Sequence, residues 1–133
     1  MFATSSADKT VKVWDAKRPA RSLFSFVGHN GSVRSLDFNP FEESLCSSGN
    51  DDEIKVWDLN RKCMIASSKE GGSKVRFQPG SGNLLAVAKR NVITILEFQS
   101  MRVKYRLQGH TKNIRSLCWS ATGKTIASVS EDA

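Results

Sequence analysis

Apolar residues along the chain come in short bursts that alternate with polar ones, as in Thr10-Val-Lys-Val-Trp14 and Val33-Arg-Ser-Leu-Asp-Phe38. A two-residue period sends successive side chains to opposite faces, which marks β-strands, and no stretch sustains the 3.6-residue period of a helix. The pattern predicts strands at Ala3–Ser6, Thr10–Trp14, Leu23–Phe26, Val33–Phe38, Ser44–Ser48 and Ile54–Asp58, with a shorter one around Met64 and Ala66. Further strands are predicted at Lys74–Phe77, Leu84–Ala88, Val92–Phe98, Lys104–Leu107, Ile114–Trp119 and Thr125–Ser130. Turn formers separate them: Asn30-Gly31, Asn39-Pro40, Asn50-Asp51, the run from Pro79 to Asn83, and Thr122-Gly123.

The bursts repeat. Thr10-Val-Lys-Val-Trp-Asp15 returns as Glu53-Ile-Lys-Val-Trp-Asp58, and more weakly as Val92-Ile-Thr-Ile-Leu-Glu-Phe98, where Leu96 stands in for tryptophan. Gly28-His29 returns as Gly109-His110, and Val33-Arg-Ser-Leu-Asp-Phe-Asn-Pro40 is echoed by Lys74-Val-Arg-Phe-Gln-Pro79 and Ile114-Arg-Ser-Leu-Cys-Trp-Ser120. All three markers share a period of about 40 residues, and four short strands in such a period make the unit of a β-propeller blade.

Composition narrows the function classes. With 39% hydrophobic and 25% charged residues the 133-residue chain is too apolar for a disordered tail. No apolar run approaches the roughly 20 residues of a membrane-spanning helix, and the polar stretch from Met1 to Thr10 has no signal-peptide pattern. Cys46, Cys63 and Cys118 are odd in number and lack metal-ligand spacing, so they read as small apolar fillers of strands in a reducing compartment. The charge is uneven: residues 1–60 carry seven Lys/Arg against nine Asp/Glu, residues 61–133 thirteen against four. No phosphate loop, metal cluster or catalytic carboxylate pair is present, so no cofactor and no metal site is expected.

On Gly28-His29, Trp57-Asp58, Trp14-Asp15 and Gly109-His110 the chain resembles WD-repeat proteins over essentially its whole length. The strings Phe2-Ala-Thr-Ser-Ser, Asp8-Lys-Thr-Val-Lys-Val-Trp-Asp15, Val75-Arg-Phe-Gln-Pro79 and Ser128-Val-Ser-Glu-Asp-Ala133 resemble, more narrowly, the C-terminal propeller of LEUNIG-type corepressors of the Groucho/Tup class. The resemblance implies an all-β WD-repeat β-propeller of four-stranded antiparallel blades, here an incomplete ring of about three. Residues 1–27 would end one blade, 28–66 form a blade with the full motif, 67–108 form a degenerate blade, and 109–133 begin another. A chain of this length is then expected to be a fragment or truncated product of a larger propeller, because closed rings usually need about 4–8 blades.

The resemblance also implies a structural hydrogen-bond relay in each blade. It would comprise His29, Ser47, Asp51 and Trp57 in the full blade, Thr4, Asp8 and Trp14 before it, and His110, Ser128 and Asp132 after it. Ser47, His29 and Asp51 also have the residue types of a hydrolase triad. Their repetition and the lack of a nucleophile-elbow sequence favour a structural role, and no enzymatic activity is expected. In the middle repeat Ala86 is read at the hydroxyl position, Arg90 at the aspartate position and Leu96 at the tryptophan position, so packing must replace the relay there.

By the same resemblance, partner-binding positions on the loop rim fall at Ser32, Arg34, Asn50, Ser73, Lys89, Asn113, Arg115 and Glu131. The expected function is a non-enzymatic protein–protein scaffold in a nuclear transcriptional corepressor, binding transcription factors and adaptor or corepressor subunits, with no membrane partner. An adaptor or substrate receptor of another complex, such as a ubiquitin ligase, stays open. Trp14-Asp15-Ala16 is followed by Lys17 and Trp57-Asp58-Leu59 by Asn60, where such receptors often carry arginine. The basic second half raises direct nucleic-acid binding, but without interleaved surface aromatics or an RNP-like string.

Overall fold

A computed structural model describes residues 2–5, 7–14, 17 and 22–130. They form thirteen strands: β1 (Phe2–Ser5), β2 (Thr10–Trp14), β3 (Ser22–Val27), β4 (Val33–Phe38), β5 (Ser44–Gly49), β6 (Ile54–Asp58) and β7 (Cys63–Ser68), then β8 (Lys74–Phe77), β9 (Leu84–Lys89), β10 (Val92–Glu97), β11 (Arg102–Gln108), β12 (Ile114–Trp119) and β13 (Ile126–Ser130). Among the described residues no helix is long and apolar enough to cross a membrane. The strands make four antiparallel sheets in chain order, β1-β2-β3, β4-β5-β6-β7, β8-β9-β10-β11 and β12-β13. The fold is all-β, and its sheets are blades of an incomplete WD-repeat-type propeller.

Short strands become blades because their turns are chemically specified. The Asn39 side-chain oxygen accepts the Phe41 and Glu42 N–H groups, closing the β4–β5 turn, and Asp58 Oδ1 does the same for Asn60 and Arg61 between β6 and β7. Left-handed residues recur at matching turns. Lys9, Asp52 and Arg90 lie between the second and third strands of their repeats, Lys62 and Met101 between the third and fourth. One bulge also repeats, at Val13/Trp14, Val56/Trp57 and Ile95/Leu96, adding twist just before the tryptophan position.

Neighbouring sheets pack face to face. Val11, Val13 and Phe26 meet Val33, Leu45 and Trp57, with the Phe26 and Trp57 rings stacked at 4.7 Å. Cys46, Ile54 and Val56 meet Val75, Phe77, Leu85, Val87 and Leu96, while Ala86, Ala88, Ile93 and Ile95 meet Ile114 and Leu117. The inner strands β4 and β8 are not paired by their backbones, so side chains of β4 satisfy β8. Ser35 Oγ accepts from Val75 N and Arg76 Nη1, both at 3.2 Å, and Asp37 Oδ2 accepts from Phe77 N at 2.8 Å. Burial pushes the Asp37 carboxyl above its usual range, against the smaller opposing pull of the Phe77 N–H and the Arg76 guanidinium. A second lock lies at Gly82, whose φ of +65° and close approach to the Asn39 amide leave room for no side chain.

Two expectations need correction. Only Cys46 is a buried filler; Cys63 and Cys118 are exposed. Cys63 starts the outermost strand of its sheet, and Cys118 alternates with Leu117 and Trp119, which face the third sheet. The hydroxyl position of the third sheet falls at Val87, not Ala86, because Leu85 pairs with Leu96 as Leu45 pairs with Trp57, putting Val87 where Ser47 stands. The β9–β10 turn holds only Arg90 and Asn91 between the paired Lys89 and Val92, against five residues between Ser48 and Ile54, so counting back from the turn slips by one.

Candidate functional site

Four side chains converge between β5, β6 and the segment leading into β4. Trp57 Nε1 donates to Ser47 Oγ at 2.8 Å, Ser47 Oγ lies 2.6 Å from His29 Nε2, and His29 Nδ1 lies 2.9 Å from Asp51 Oδ2. An indole N–H only donates and a carboxylate only accepts. The chain of donation therefore runs from Trp57 to Ser47, from the Ser47 hydroxyl to Nε2, and from Nδ1–H to Asp51, and this order assigns the His29 tautomer. Burial works to raise the Asp51 carboxyl, but the His29 ring and the N–H groups of Asn30 and Glu53 together hold it below the ordinary carboxylate value. Ser47 is fully buried and its Oγ already accepts the indole. The three residue types of a triad thus meet with no access for a substrate.

The flanking sheets hold the same residue types in looser form. Trp14 Nε1 donates to Thr4 Oγ1 at 2.9 Å, with Thr4 exposed, and Asp8 Oδ1 accepts from Thr10 N and Oγ1 at 3.1 and 2.6 Å. His110 Nε2 lies 2.7 Å from Ser128 Oγ, both half-buried; Asp132 and Glu131 lie outside the described residues. In the third sheet Val87 and Leu96 are fully buried against Phe77 and Val75 instead.

The relay ties down the loops that carry the exposed polar residues. Asp51 Oδ2 also accepts from Asn30 N, and Asn50 N donates to Ser32 O at 2.9 Å, which joins the β5–β6 turn to the loop before β4. Ser73 N donates to Ala88 O at 2.8 Å, and Ile114 N to Arg90 O at 2.6 Å, stitching the next loops together. These loops surround an open cleft of about 730 Å³ spanning the second, third and fourth sheets. Arg34, Asn50, Ser73, Lys89, Asn113 and Arg115 line it, whereas Ser32 does not. Arg34 and Arg115 are the extra residues of equivalent bulges, where pairing steps from Val33 to Ser35 and from Ile114 to Ser116; such bulges re-aim a side chain.

Lys74, Arg90 and Asp52 also line the cleft and had no binding role in the sequence reading. The signal for Arg90 is the Lys89-Arg90 pair in a two-residue turn; Lys74 gives none, because it heads an ordinary alternating strand. Among the described residues the lining sets five cations against one carboxylate, Asp52, whose Oδ2 lies 3.7 Å from Lys89 Nζ. Among the described residues no group of three or more His, Cys, Asp and Glu side chains is placed to hold a metal ion.

Comparison with known proteins gives a family. The model of the WD domain, G-beta repeat, matches residues 1–15, 20–58 and 101–133, more than half of the chain, and of the third sheet it takes in β11 alone. The chain is 42% identical over 134 residues to the transcriptional corepressor LEUNIG_HOMOLOG of Arabidopsis thaliana, covering 99% of this chain and 17% of that protein. It is 36% identical over 95 residues to the nuclear distribution protein PAC1-1 of Uncinocarpus reesii, covering 66% and 21%. It is 29% identical over 143 residues to cell division cycle 20.4, cofactor of APC complex, of Arabidopsis thaliana, covering 98% and 32%. The chain therefore spans less than a third of the length of each of these relatives.

Proposed function

The chain belongs to the WD-domain, G-beta repeat family, a protein-interaction fold, and from that premise we propose that its cleft-bearing rim recruits partner proteins within a nuclear transcriptional corepressor assembly. The observation that carries this reading is the cleft itself, where loops of three sheets bring Arg34, Lys89 and Arg115 to one concave surface. Guanidinium groups pair bidentately with carboxylates, so an acidic segment of a transcription factor or adaptor is the partner this surface fits. The corepressor assignment draws on the 42% identity to LEUNIG_HOMOLOG over nearly the whole chain. The residues named as partner-binding from the sequence belong to this proposal, Ser32 as a support of the Asn50 turn rather than as a contact.

A second reading, an adaptor in another complex, is favoured by the match to cell division cycle 20.4 over 98% of the chain. Affinity capture from nuclear extract, comparing the wild-type chain with the Arg34→Glu/Arg115→Glu variant, tests the rim. Both side chains are exposed, so the fold should be unchanged by circular dichroism. The variant is expected to lose transcriptional-regulator partners that the wild type retains, and an identical partner set would refute the assignment.

A further inference from the structure

We propose that Asn30 is a site of spontaneous self-modification: the Gly31 backbone nitrogen attacks its side-chain amide, and the isoaspartyl link that results releases the loop before β4 from the His29–Asp51 relay. It does so whichever partner the rim recruits.

The chemistry starts from the residue pair. Asparagine is thermolabile because the backbone nitrogen that follows it can add to its side-chain carbonyl carbon. Here a bond forms from Gly31 N to Asn30 Cγ, the bond from Cγ to the side-chain nitrogen breaks, and ammonia leaves with the proton that Gly31 N gives up. Water then opens the cyclic imide at either carbonyl, giving aspartate or isoaspartate. In isoaspartate the main chain runs through the former side-chain carbon. A side chain on the attacking residue hinders ring closure, and glycine has none. Of the seven asparagines only Asn30 precedes glycine; the others precede Pro40, Asp51, Arg61, Leu84, Val92 and Ile114.

The fold leaves the pair open to reaction. Asn30 is exposed and lies with Gly31 in a bend, directly after the buried His29. Among the described residues no hydrogen bond holds the Asn30 side-chain amide or the Gly31 N–H, so the reacting groups are free to meet. The equivalent bend after His110 reads Thr111-Lys112, equally exposed but without an asparagine, so that loop lacks the reaction.

The same fold gives the product a consequence. Asp51 Oδ2 lies 2.9 Å from His29 Nδ1 and accepts from Asn30 N at 3.0 Å, while Ser32 O accepts from Asn50 N at 2.9 Å. The short segment from His29 to Ser32 is thus pinned at both ends to the β5–β6 turn. Between them Gly31 sits so close to that turn that a Cβ would stand 3.1 Å from Asp51 N. An isoaspartyl link adds one carbon to a segment with no slack and sets a second carboxylate beside Asp51, where like charges repel. Both changes act against the bonds that hold the relay and the turn carrying Asn50 into the rim cleft.

The test ages the full chain at mildly alkaline pH and physiological temperature, then digests it for peptide mass mapping. Isoaspartate is scored with a protein isoaspartyl methyltransferase as the probe. The Asn30 peptide is expected to gain one mass unit at least tenfold faster than peptides carrying the other asparagines. The urea transition of the aged chain should split, with the earlier component growing as isoaspartate accumulates. Asn30→Gln, whose longer side chain disfavours the ring, should keep one unchanged transition on ageing. Asn30→Asp carries the charge without the extra carbon and should unfold between the fresh chain and the isoaspartyl component. Conversion of Asn30 no faster than that of the other asparagines, or only in urea-unfolded chain, would overturn the site. An aged chain rich in isoaspartate with a single, unshifted transition would overturn its link to the relay.

Discussion

Replacing Ser47 with alanine removes one oxygen that two buried groups depend on. Trp57 Nε1 loses its acceptor at 2.8 Å and His29 Nε2 its donor at 2.6 Å, and all three residues are buried. A buried polar group left without a partner costs about 1–3 kcal/mol. Two such groups therefore make Ser47→Ala cost about 2–6 kcal/mol, a large share of the roughly 5–15 kcal/mol that holds a typical domain folded. Thr4→Ala supplies the internal control. Thr4 accepts the Trp14 indole in the same register, but it is exposed, so water replaces the hydroxyl and the loss should be about 0.5–1.5 kcal/mol. Urea denaturation followed by tryptophan fluorescence reads both. With a slope of about 1–3 kcal/mol per molar urea, the Ser47→Ala midpoint should fall by about 0.7 M or more, while Thr4→Ala, read with the same slope, moves it several-fold less. Ser47→Thr, which restores the hydroxyl found at Thr4, should recover most of the loss. Equal costs for Ser47→Ala and Thr4→Ala would refute the claim that the relay works as a buried, mutually dependent network.

Two further changes probe the seam and the acid limb. Asp37→Ala should cost about 1–3 kcal/mol by stranding the Phe77 N–H on an inner strand, while Asp37→Asn, which keeps an acceptor and removes a buried charge at neutral pH, should be close to neutral in the same urea measurement. Asp51 is held below the ordinary carboxylate range, so the native state binds fewer protons there than the unfolded chain. Its contribution is fully present above about pH 4, the unfolded value, and is lost as pH falls through the lowered native value. Denaturation midpoints from pH 7 down to the acid limit should fall less steeply in Asp51→Asn than in the wild type.

The repeat and the strand alternation were legible because each depends on local patterning: Trp14 and Trp57 share a register, and Gly28-His29 and Gly109-His110 mark equivalent loops. What depended on pairing across sheets was not. Asp37 looks like any polar residue on the outward face of an alternating strand, and only the packing of β4 on β8 shows that it serves the Phe77 N–H about forty residues away. Ala86 and Val87 are adjacent small apolar residues, and the shortened β9–β10 turn hid which of them replaces Ser47. Cys63 and Cys118 lie in strands, but strand membership does not say which face is covered. At the rim, Arg34 and Arg115 were named from the family resemblance, while their convergence with Lys74 and Arg90 depends on how the second, third and fourth sheets pack beside one another.

Hydrogen exchange of the chain, alone and with a captured nuclear partner, bears most directly on the claim that the rim is the binding face. Protection is predicted in the β5–β6 turn around Asn50, at Ser73–Lys74, at Lys89–Arg90 and at Asn113–Arg115. Protection confined instead to the turns on the other side of the sheets, around Phe41–Glu42 and Ser81–Asn83, would contradict it.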